Sequence, residues 1–139
     1  MQDTATWIVH EPNAARTRAG VVALYQSAYL PGNNVPLTWT GSIASCDPGK
    51  TNLDHQQAVI DRANYFRALV ERPAVTLLGN PETSQAQAAA LMMSANNSLS
   101  HAPPATWLCY SAADATGAMN TNLAFGVTGV AAIDLFMGD

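Results

Sequence analysis

Lysine is nearly absent. Lys50 is the single example, and charged residues make up 12% of the 139-residue chain, against about a quarter in average proteins. Net charge is −4 at pH 7 with no cluster of cations, which weighs against nucleic-acid binding through phosphate neutralisation. No apolar run approaches the ~18 residues that span a bilayer. The opening "MQDTATWIVH" lacks a basic region followed by an apolar one, so it does not read as a signal peptide. The chain is then either cytosolic or begins downstream of such a segment. Neither a CxxC pair nor zinc-finger spacing is present. Hydrophobic residues, by contrast, reach 48%. That is too apolar for disorder, and the length fits one domain burying roughly two-thirds of its unfolded surface.

Periodicity organises the chain. In "AGVVALYQSAYL" the residues Val21, Leu24, Tyr25 and Ala28 recur at helical spacing and predict a short amphipathic helix. The next clear helix is "LDHQQAVIDRANYFRALVERP", with Val59, Ala63, Phe66 and Val70 on one stripe and Asp61, Arg62, Asn64 and Arg67 largely off it. Asn52 or Asp54 can cap its start, and Pro73 ends it. "AVTLL" over 74–78 predicts a short strand. Ser84 and Gln87 have capping-box spacing and open a third helix, "SQAQAAALMMSANN". Its face of Ala86, Ala89, Ala90 and Met93 is mostly small, which suits close approach to a neighbour. "YSAADATGAMNTNLAFGVTG" reads as a looser stretch, and "VAAIDLFMGD" as a closing helical segment.

One strand cannot satisfy its own backbone. Either weak strands lie near 36–45 and 106–110, or the rest of the sheet lies beyond Asp139. The second reading is the more natural, and the chain then reads like the front of a domain. The fold class expected is α/β (α+β).

Cys46 lies in "PGNNVPLTWTGSIASCDPGKTN", a loop over 31–52 in which Pro31, Pro36 and Pro48 alternate with Gly32, Gly41 and Gly49. A loop this long in a compact domain calls for a clamp. Cys46 and Cys109 are either two unrelated buried thiols or one disulfide, and the loop favours the bridge. A bridge implies an oxidising compartment.

Chemistry-bearing residues are few. His10 sits in an uninformative N-terminus. His55 falls in the first turn of a polar-started helix, where solvation is expected. His101 stands where a packed helix becomes a loop stiffened by Pro103 and Pro104. A metal site needs three or four converging ligands, and no histidine follows His101. Ser98, Ser100 and Ser111 surround it without a GxSxG elbow or an orienting carboxylate. Asn96-Asn97-Ser98 is a formal glycosylation sequon of a kind frequent by chance.

The ordered runs "RANYFRALVERPAVTL", "AQAAALMMSANNSLSHAPPATWLCY", "NTNLAFG" and "AIDLFMGD" resemble the bacterial branch of the CAP superfamily. That superfamily holds the cysteine-rich secretory, antigen 5 and pathogenesis-related proteins, which share the SCP domain. The resemblance covers residues 20–139 and leaves 1–19 as an N-terminal extension. It implies an α-β-α sandwich and a secreted protein. His101 matches the family's first cleft histidine, which in metal-binding members works with a second histidine and glutamates around a divalent ion such as zinc. Thr116 stands where the family's first cleft glutamate would be. A hydroxyl lacks the charge of that carboxylate, and Asp114 lies two residues away as a substitute. The family's later histidine segment falls beyond a point equivalent to residue 139.

The cleft expected from the resemblance is therefore Ser100, His101, Asp114 and Thr116, with His101 as the metal ligand. Three functions follow. The first is a secreted, non-catalytic binding module for an extracellular protein, lipid or cell-surface ligand. The second is a metal-dependent hydrolase built on the cleft. The third is an incomplete fragment without independent activity.

Overall fold

A computed structural model describes residues 17–138. Residues 1–16, which include His10 and most of the expected N-terminal extension, lie outside the described residues. Among the described residues there are five α-helices: α1 (Arg18–Leu24), α2 (Leu53–Leu69), α3 (Glu82–Asn96), α4 (Ala112–Asn120) and α5 (Val130–Gly138). Thr17 opens α1 by accepting the Gly20 N–H on its hydroxyl. The same run continues through a π-helical turn at Tyr25–Tyr29 and a 3-10 turn at Leu30–Asn34, where Pro31 and Gly32 end it.

The expected α/β sandwich is overturned: there is no strand among the described residues, and the fold is all-α. Residues 36–45 contribute isolated antiparallel bridges, Trp39 with Thr51 and Ser42 with Asp47. Residues 106–110 turn, and 74–78 run irregularly and exposed. The physical reason lies in asparagine. The Asn64 amide donates to the Val75 carbonyl and accepts its N–H, at 2.9 and 2.8 Å. Asn96 holds the Leu108 N–H and carbonyl in the same way, each at 3.0 Å. Asn52, expected as a helix cap, makes no capping bond and instead ties the Thr38 N–H and the Pro36 carbonyl. Three side-chain amides thus do for short extended pieces what a neighbouring strand does in a sheet.

Two helical groupings result. In one, the π and 3-10 turns that follow α1, together with α5, pack on α2; in the other, α3 packs on α4. The second is the more closely fitted. Ala89, Met92 and Met93 of α3 meet Ala118 of α4, with Trp107, Tyr110 and Leu123 packed around them. Small residues permit this; of the expected face, Ala89 and Met93 take part while Ala90 is exposed. A Cβ at Gly117 would overlap the Gln85 carbonyl of α3. The expected Ser84–Gln87 capping box does not form. Ser84 donates to the Pro81 carbonyl, and Gln87 accepts the Thr51 hydroxyl at 2.7 Å, across to the other grouping. The first half of the stretch read as loose is α4, whose start Ser111 caps through the Asp114 N–H, while 121–129 are irregular as expected.

A disulfide joins Cys46 to Cys109 across a sequence separation of 63. It fastens the loop before α2 to the loop between α3 and α4. Both cysteines hold positive φ, at 53° and 58°, a conformation that costs an L-residue roughly 1 kcal/mol. In a chain-entropy model a bridge over such a loop contributes about 4 kcal/mol, which outweighs that strain.

Candidate functional site

The residues expected to line a cleft are each engaged locally. Helix α3 ends on Asn97 in the left-handed region, φ 47°, and the following loop is pinned by Asn96, by the disulfide and by its own turns. Ser100 accepts the Ala102 N–H at 3.0 Å. His101 is exposed, and its Nδ1 lies 2.8 Å from the Ala118 carbonyl. A carbonyl only accepts, so Nδ1 carries the proton. Ala118 belongs to the last turn of α4, whose carbonyls lack helical partners, so the imidazole closes a helix end. The Asp114 N–H is taken by the Ser111 cap, and Thr116 donates its hydroxyl to the Ala112 carbonyl at 2.9 Å. The sequon residue Asn96 spends its amide on Met92 and Leu108. Among the described residues, no three His, Cys, Asp or Glu side chains converge as a metal site.

A different set of residues meets between the π and 3-10 turns, α2 and α5. Arg62, expected off the buried stripe of α2, is 1% exposed. Ala58, Arg62, Asn64 and Tyr65 form the buried side of the helix, while Val70, on the expected stripe, is exposed. The Arg62 guanidinium sits 3.4 Å above the Tyr29 ring. It pairs with Asp134 of α5 and donates to the Tyr29 carbonyl and to Asn33 Oδ1. Tyr29 donates its hydroxyl to the same Asp134 oxygen at 3.1 Å. The other oxygen, Oδ1, is buried without a partner among the described residues, as is Arg62 Nε.

Aromatic rings back this pair. Tyr25 and Tyr29 stack at 4.8 Å, and Tyr65 meets Tyr29 edge-on at 5.0 Å, arrangements that favour the ring quadrupoles. Burial and then the bond to Asp134 push the Tyr29 phenol above its ordinary pKa, with Arg62 opposing. Burial does the same to Tyr65, helped by Tyr25.

Beside the ion pair opens a hollow of about 480 Å³, lined among others by Asn33, Val35, His55, Thr128, Val130 and Asp134. His55, expected to be solvated, is half-buried. Its Nδ1 lies 3.4 Å from the Val35 carbonyl, and its ring packs on Gly129 so closely that a Cβ would collide. Gly129 also has φ +57°, so two constraints demand glycine there. The signal for this site was present in outline: Arg62 lies three positions before Tyr65, on one helical face, and Asp134 interrupts the apolar run of α5.

No family model, no curated protein and no solved structure matches this chain.

Proposed function

We propose that the chain is a non-catalytic binding module working in an oxidising, extracellular setting, and that the hollow between the 3-10 turn, α2 and α5 seats its ligand. The observation that carries the reading is the hollow itself. Its size falls in the usual range for small-molecule pockets, roughly 300–1,000 Å³, and its wall mixes Val35 and Val130 with Asn33, His55, Thr128 and Asp134. The polar wall is fixed in advance, because Arg62, Tyr29 and the aromatic stack hold Asp134 in place. Preorganisation of this kind favours binding. Asp134 is held by two donors on one oxygen, which suits a fixed recognition group better than a proton shuttle. The disulfide supports the compartment. Kinship with the CAP superfamily belongs to the same proposal and rests on the ordered motifs over 20–139.

The test is a titration of ¹⁵N-labelled protein with small amines, alcohols and amides, followed by amide chemical shifts. Saturable shifts confined to His55, Val130 and Ala131, lost in Ala131→Trp, are the expected result. Shifts scattered over the surface, or unaffected by that substitution, would refute the site.

A further inference from the structure

The hollow has two unlike walls. Asn33, Val35 and His55 belong to the 3-10 turn, the chain after it and α2, whereas Thr128, Val130 and Asp134 all lie on one piece, α5 and the residues just before it. That second piece is lightly held. No residue of α5 is buried, and the helix packs on α2. The chain that leads to it leaves Leu123, which sits on the α3–α4 core, and residues 124–127 then form no hydrogen bond among the described residues. Gly126 in that connection has φ +75°, and a Cβ there would meet nothing within 4 Å, so nothing packs against it. Few buried contacts and an unbonded connection characterise elements that open well below the free energy of global unfolding.

Release of α5 strands little. The buried Arg62 guanidinium keeps the Tyr29 carbonyl, Asn33 Oδ1 and the face of the Tyr29 ring, none of which belongs to α5. Asp134 already shows 34% of its side-chain surface and passes into water. Its Oδ1, buried without a partner while α5 is docked, gains one there, which offsets part of the lost ion pair.

We infer that α5 is a hinged lid over the hollow. It swings about Gly126, is latched by Asp134 on Arg62 and Tyr29, and opens while the rest of the fold stays intact. That opening admits a ligand rests on the hollow being the ligand site; the motion itself does not.

Native-state hydrogen exchange of the whole oxidised chain, without ligand, tests the motion. A nine-residue helix is marginal by itself, so its amides exchange once it detaches. Those of residues 134–137 should exchange together, at least about tenfold faster than the slowest amides of α2 and α3. Asp134→Asn should speed them about fivefold. Gly117→Ala loosens α3 from α4; it should speed the slow α3 amides by more than about tenfold and leave the α5 amides unchanged. Exchange of α5 no faster than that of α3, or an equal acceleration of both by Gly117→Ala, means that α5 unfolds only with the whole molecule and overturns the lid. Exchange of α5 indifferent to Asp134→Asn overturns it too, because the latch is then not released. Opening on the expected terms, with Val130 and Ala131 silent to amines, alcohols and amides, upholds the lid and refutes the ligand site alone.

Discussion

Arg62 concentrates more of the fold's polar bonding than any neighbour on α2. It is buried at 1% exposure, while its partner Asp134 keeps 34% of its side-chain surface. That asymmetry sets unequal costs. Removing the buried guanidinium strands Asp134, the Tyr29 carbonyl and Asn33 together, so Arg62→Ala should cost roughly 3 kcal/mol in urea unfolding. Asp134→Asn keeps shape and some hydrogen bonding at a partly wet site and should cost about 1 kcal/mol. Arg62→Lys should not rescue, because an ammonium cannot reach three acceptors in a plane. Equal losses from the two single variants, adding without coupling in the double, would show that the pair is incidental. The tyrosines add a pH dependence. Their phenols hold the proton more tightly folded than unfolded. Their contribution is therefore fully present below the ordinary phenol value near 10 and is lost as pH rises through the higher folded value. Stability should fall with pH above about 10, and Tyr65→Phe should flatten that fall. An unchanged slope would contradict the burial of that ring.

At the level of elements, α3 and α4 depend on how closely their backbones meet. Gly117 lies where a Cβ would strike the Gln85 carbonyl. Alanine raises helix propensity by about 1 kcal/mol, yet here the helices would have to separate and uncover Met92 and Ala118. Gly117→Ala should therefore destabilise by about 2 kcal/mol net, read by thermal unfolding; a stabilised variant would mean that the helices are not in contact. This packing was legible in the sequence only in part: Ala89 and Met93 of the expected small face do meet α4, but Ala90 is exposed and Met92, off that face, is fully buried. Legible too were the start of α2 and the span of α5, whereas α2 ends at Leu69, short of Pro73, and buries Ala58, Arg62, Asn64 and Tyr65 rather than the expected apolar stripe. Helix α4 was signalled by Ser111 and Asp114 at cap spacing and was obscured by small, weakly periodic residues. The strand expected at 74–78 failed for a different reason. Its β-branched, apolar composition describes a surface suited to pairing, whereas a strand exists only where a partner edge is present. Here Asn64 supplies that partner at Val75 alone. The burial of Arg62 was hidden because hydrophobic periodicity assigns charges to solvent, and a paired guanidinium over an aromatic ring escapes that rule. His101 was legible as a fixed imidazole, but the carbonyl that fixes it comes from a helix the sequence concealed.

The molecule as a whole is two helical groupings that share few contacts through their helices. Links between them among the described residues include the Thr51–Gln87 bond and the Cys46–Cys109 bridge. The bridge therefore does more than shorten a loop, since it makes one cooperative unit of two modest cores. It also sets the frame for the hollow, because the loop it anchors leads directly into α2 and His55. The most direct measurement is thermal unfolding of the chain by far-ultraviolet circular dichroism, with and without reductant. A helical spectrum and one cooperative transition are expected in the oxidised chain. On reduction the midpoint should fall, consistent with a loss of about 2–4 kcal/mol, and the transition should broaden as the groupings melt apart. A melt whose midpoint and shape ignore reductant would contradict the coupling of the two groupings through Cys46 and Cys109.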